Sequence, residues 1–139
     1  MSQSVSYRTL TELLQVYKTP FYFYSKGAIK RTIDELRSAF PIENFQLLFA
    51  TMANDNPEFL RVIAANDVGA CVNSIKHLNL TIDNGIKLGR IQFTSTGISG
   101  EDMIELLRKG VAVNFDSLQQ LERWFQLQQG GYAGVRINT

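Results

Sequence analysis

The chain is poor in the residues that staple a protein or build metal centres: 1 cysteine, 1 histidine, 1 tryptophan and 3 prolines among 139 residues. A single cysteine, Cys71, cannot close an internal disulfide, and a lone thiol fits a reducing, cytoplasmic setting. A single histidine, His77, leaves a zinc site without imidazole partners. Neither sign of charge prevails, with 14 Lys and Arg against 13 Asp and Glu. That balance supplies no basic footprint for nucleic acid and no polybasic patch for a membrane surface. No apolar run approaches the roughly 20 residues of a membrane-spanning helix, and the opening MSQSVSYRTLTELLQVYK lacks the apolar core of a signal peptide. Nucleic acid and membrane are therefore excluded as partners, and a small metabolite or another protein chain is expected.

What is present is a repeat of apolar runs and amphipathic stretches, each pair punctuated by its own caps. FQLLFAT reads as a strand, followed by Asn56 as N-cap, Pro57 at the first helical position and a helix to about Ala65. VGACVNS is a second strand; Ser74 caps the helix IKHLNLTIDN, which Gly85 ends. RIQFTST is a third, after which Ser99 and Asp102 form a capping box ahead of MIELLRK, with Gly110 as terminator. VAVNF is a fourth. Asp116 and Gln119 start LQQLERWFQLQQ, ended by Gly130, and YAGVRIN is a fifth strand. Near-continuous apolar strands, each followed by a helix, predict a parallel sheet buried on both faces. A doubly wound dinucleotide fold is disfavoured: no G-x-G-x-x-G follows the first strand, and the units show no break at which strand order would reverse. The expected fold is α/β, with parallel (β/α) units over residues 45–139 forming roughly half of a TIM-type barrel. A whole barrel takes about 250 residues.

Residues 1–44 are expected to form an N-terminal strand and a lead-in helix. FYFY after Thr19-Pro20 is an aromatic strand signal, and Ile29, Ile33, Leu36 and Phe40 fall on one face of the following helix.

Taken in order, TPFYFYSKGAIKRTIDELRSAF, FATMANDNPEFLRVIAANDVGACVNS, RIQFTSTGISGEDMIELLRKGVAVNFDSLQQLERW and GVRIN carry motifs in one register. The chain resembles the N-terminal barrel half of the pyridoxal-phosphate-dependent ornithine, diaminopimelate and arginine decarboxylases, which have the alanine-racemase-like fold. In that family the first barrel strand ends in Y-A-x-K-A-N-x-N-P. Phe49, Ala50, Thr51, Met52, Ala53 and Asn54 fall on its first six positions, so Met52 occupies the place of the Schiff-base lysine. A thioether has no nucleophilic nitrogen and cannot take that role. By itself Met52 reads as a flexible core filler, and Cys71 as a small hydrophobe in a buried strand.

The resemblance further implies cofactor contacts for Ala50, Cys71, Ser74 and Arg136, and no metal. Cys71 stands where the family has an acidic residue on its second strand, and His77 where it has a glutamate after the serine. Ser74, Asn54, Asn56, Pro57, Asn114, Asp116, Ser117 and Arg136 match the pattern. Pyridoxal phosphate is thus implied by the family, with Met52 placing its binding by this chain in question. The resemblance implies an amino-acid decarboxylase, here truncated, lacking its Schiff-base lysine and inactive alone, with an amino-acid substrate only if another chain completes the site. The alternative is a non-catalytic regulatory or decoy relative acting through protein contacts. Half a barrel leaves open sheet edges, so a homo-oligomer or a partner chain is expected.

Overall fold

Helix formation begins at Ser6, whose hydroxyl accepts from the Thr9 N–H at 3.1 Å and starts helix α1, Tyr7–Val16. The computed structural model describes residues 5–128 and 130–137 of the chain. These fall into two compact units, Met1–Ala39 and Phe40–Thr139. In the first, α1 buries no residue, and the sequence pattern alone did not mark it as a helix. Helix α2, Lys26–Ala39, stands where the lead-in helix was expected, but of the four residues assigned to its apolar face only Ile33 is buried. Phe40 lies beyond its end and stacks on Phe45 at 5.3 Å between ring centroids. No strand forms over residues 21–24. Aromatic β-propensity describes a side chain that packs on a pleated surface, and no ladder partner among the described residues supplies one.

The second unit is a parallel five-stranded sheet in the order β1-β2-β3-β4-β5, with a helix after each of the first four strands. Its elements in chain order are β1 Leu48–Ala50, α3 Pro57–Ala65, β2 Gly69–Val72, α4 Ile75–Asp83, β3 Ile91–Thr94, α5 Gly100–Lys109, β4 Ala112–Phe115, α6 Leu118–Leu127 and β5 Gly134–Val135. Every strand pairs with the next in sequence, so the order never reverses as it does in a doubly wound sheet. This is the arrangement of a run of barrel units.

Local chemistry explains the boundaries. Asn56 accepts from the N–H groups of Glu58 and Phe59 at 2.9 and 3.3 Å, and Pro57 takes the first position of α3. Ser74 Oγ accepts from the His77 N–H at 3.2 Å at the head of α4. The Ser99–Asp102 capping box is complete, with both bonds made. Gly110 ends α5 at φ 67° and ψ 33°, a left-handed conformation that a side chain disfavours. The start of α6 differs from expectation. Its N-cap is Ser117, one residue after Asp116, and the Ser117 hydroxyl makes no capping bond. Its end differs too, because the helix closes at Leu127 with Gln128 extended, before Gly130.

The sheet is not buried on both faces, which corrects the expectation drawn from its apolar strands. Burial alternates along β3 and β4. Residues in register in a parallel pair share a face, which sorts Phe49, Ala70, Ile91, Val72, Phe93, Val113 and Phe115 to one side. The helices cover that side: Phe49 meets Phe59 of α3 at 4.9 Å, and Phe115 meets Trp124 of α6 at 5.3 Å. Leu60, Leu78, Leu106 and Phe115 are fully buried, each stabilising by about 1.5–3 kcal/mol through apolar burial. The opposite side carries Leu48, Ala50, Cys71, Gln92, Thr94, Ala112 and Asn114, all exposed or half-buried.

Candidate functional site

All five strands run the same way, so the segments that follow them gather at one end of the sheet. The turn after β1 is fixed by Thr51. Its N–H and hydroxyl both donate to the Cys71 carbonyl oxygen, at 3.1 and 3.2 Å, and the side chain is buried. Ala53 closes the turn by donating to Ala50 O at 3.0 Å. With Thr51 locked inward, the next side chain is turned out, and Met52 is 71% exposed. It is not a core filler.

Ala50 and Cys71 lie side by side in register on the open face of the sheet, Ala50 exposed and Cys71 half-buried as a free thiol. The Cys71 surroundings are therefore wetter than those of a core hydrophobe. Gln92 continues the same row on β3. Ser74 is engaged as the α4 cap, its hydroxyl oxygen already an acceptor. Arg136 follows β5 with its side chain exposed; its backbone N–H donates to Phe115 O at 2.7 Å. The fold thus brings Ala50, Met52, Cys71 and Ser74 together at neighbouring strand ends. It sets Arg136 apart, with β2, β3 and β4 between β5 and β1. Among the described residues no group of three or more His, Cys, Asp and Glu side chains converges to hold a metal ion.

One polar cluster was not foreseen. His77 Nδ1 lies 2.9 Å from Asn73 Oδ1, and His77 Nε2 lies 3.7 Å from Asp55 Oδ2 in the segment between β1 and α3. The signal in the sequence is a Ser-x-x-His run at a helix start. A capping box would place Glu or Gln at that third helical position, and an imidazole there turns to other partners. On the far end of the sheet Asp67 binds Arg90, with Nη2 to Oδ2 at 2.7 Å and Nη1 donating to the Asp67 carbonyl at 2.8 Å. Asn114 Nδ2 donates to Thr94 Oγ1 at 3.2 Å across the open face.

Comparison with known proteins agrees with this geometry. A diaminopimelate decarboxylase of Thermoplasma acidophilum is 26% identical over 88% of the chain, which covers 30% of that protein. One of Helicobacter pylori is 32% identical over 79% of the chain, covering 27% of that protein. The crystal structure of Helicobacter pylori diaminopimelate decarboxylase complexed with L-lysine superposes with a TM-score of 0.80 at 29% identity, over 85% of this chain and 30% of that one. The chain therefore spans under a third of the length of these relatives. Residues 26–139 match the family described as the pyridoxal-dependent decarboxylase, pyridoxal binding domain, and the chain belongs to that family.

Proposed function

We propose that this chain is a decarboxylase-type pyridoxal-binding domain without covalent hold on its cofactor, and that it does not itself decarboxylate amino acids. The observation that carries this reading is Met52, an exposed thioether in the turn after β1, at the position of the family's Schiff-base lysine. The donor set does not fit pyridoxal phosphate as the family holds it. No lysine stands in any of the five strands or in residues 51–56. A Schiff base with the cofactor aldehyde needs a neutral primary amine, and methionine offers only a weak thioether acceptor. Cys71, in the place of an acidic residue of the family pattern, and His77, in the place of a glutamate, remove two further charges of the usual set.

The diaminopimelate decarboxylases that resemble the chain suggest an ancestral amino-acid substrate, and on this reading the chain has kept their fold and lost the group that captures such a substrate's cofactor. The protein is tested by adding pyridoxal phosphate, dialysing and recording the absorption spectrum. No cofactor band should survive dialysis. A retained long-wavelength band that borohydride abolishes would overturn the reading.

A further inference from the structure

We propose that His77 is a proton-gated clasp that fastens the segment between β1 and α3, the segment carrying Met52, to the head of α4. The proposal is independent of whether any cofactor binds. An amide oxygen only accepts, so the 2.9 Å contact with Asn73 Oδ1 requires the N–H of the neutral imidazole to sit on Nδ1. The other nitrogen, Nε2, is then the one that gains a proton, and it is the one facing Asp55 Oδ2 at 3.7 Å. With a lone pair on Nε2 this contact sets two acceptors against each other. Protonation replaces it with a charge-assisted N–H···O bond, for which the carboxylate has only to close to about 2.7–2.9 Å. The imidazole is mostly sheltered, at 17% side-chain exposure, whereas Asp55 is 53% exposed. The ring is the fixed half of the clasp and the loop carboxylate the moving half.

The position of Asp55 gives the clasp its reach. The segment is tied to β2 at its start by the Thr51 N–H to Cys71 O bond at 3.1 Å, and is shaped locally by Ala53 N–H to Ala50 O and by Asn56 N–H to the Asn54 side-chain Oδ1, both at 3.0 Å. Among the described residues, the Asp55–His77 contact, an ion pair only when the imidazole is protonated, joins this segment to α4. Other titratable groups on the flanking elements are Lys76 beside His77 on α4, Cys71 on β2, and Glu58 and Arg61 on α3, which pair with each other. Lys76 carries the same charge in either state of the imidazole and leaves Asp55 as the acid that answers the proton.

Because His77 is the chain's 1 histidine, its ring signals are unambiguous in nuclear magnetic resonance. Amide hydrogen exchange of Ala53, Asn54, Asp55 and Asn56, corrected for the intrinsic pH dependence, should be about two- to fivefold slower at about pH 5 than at about pH 8, the range expected of a part-exposed ion pair. Asp55→Asn and His77→Gln should each abolish that change while leaving exchange in β3 and β4 as it was. Identical pH curves for the wild type and Asp55→Asn would overturn the clasp. So would ring nitrogen shifts that place the neutral proton on Nε2.

Discussion

The side-chain amide of Asn114 occupies the space that a Cβ at Gly134 would enter, so β4 and β5 are matched residue to residue across the open face. Gly134→Ala should therefore drive the methyl into the Asn114 carboxamide. Relief comes from moving the half-buried Asn114 carboxamide, which gives up its bond to Thr94, a loss of about 1 kcal/mol. In denaturant unfolding Gly134→Ala should lose that much in the wild-type chain and less in an Asn114→Ala background. Equal losses from Gly134→Ala with and without Asn114 would show that the contact is not the cause.

Two serines at helix heads separate a made cap from an unmade one. Ser99 completes a reciprocal box on α5, whereas Ser117 begins α6 without a side-chain bond. Ser99→Ala should cost about 1 kcal/mol, the usual value of an N-cap, and Ser117→Ala should cost clearly less. Thermal unfolding of the two variants side by side gives the comparison, and a larger loss at Ser117 would contradict it.

The helix-covered face of the sheet carries the stability. Leu60 and Leu106 are fully buried between helix and sheet, while Leu118, on the outside of α6, is 75% exposed. Truncating either buried leucine to Ala should cost about 2–5 kcal/mol. Leu118→Ala should fall within about 0.5 kcal/mol of the wild type, as surface changes do. Urea midpoints at constant slope measure all three.

Much of this fold is written in short-range chemistry, which is why it can be read from sequence. Asn56-Pro57, Ser74, Ser99 with Asp102, and Gly110 act on backbone groups within a few residues, and each stands where its pattern places it. The parallel order of strands follows from the strand-then-helix repeat. What sequence could not supply depends on the third dimension. Apolar strands do not announce which face is covered, and only the register shows that Cys71 shares the open face with Ala50 and Gln92. Met52 reads as core by residue type and is exposed because Thr51 is locked beneath it. Asp55 and His77 meet only because consecutive strands are neighbours, and FYFY had the composition of a strand but does not form one over residues 21–24.

Restoring the amine alone should not restore chemistry. Met52→Lys places a lysine in an exposed turn but leaves Cys71 and His77 where the resemblance implies acidic groups, and preorganised charge around the reacting centre supplies much of a catalysed barrier reduction. Carbon dioxide release from diaminopimelate, ornithine or lysine with added pyridoxal phosphate should stay at the buffer rate for this variant. Turnover above it would mean that the remaining residues are sufficient.

The most direct measurement is a map of covalent capture: the wild-type protein is saturated with pyridoxal phosphate, reduced with borohydride, digested and analysed by peptide mass spectrometry. With Met52 in the turn after β1, modification should be substoichiometric and scattered over exposed lysines such as Lys76 and Lys87. One lysine carrying close to one cofactor per chain would contradict the claim that this domain has no covalent hold on its cofactor.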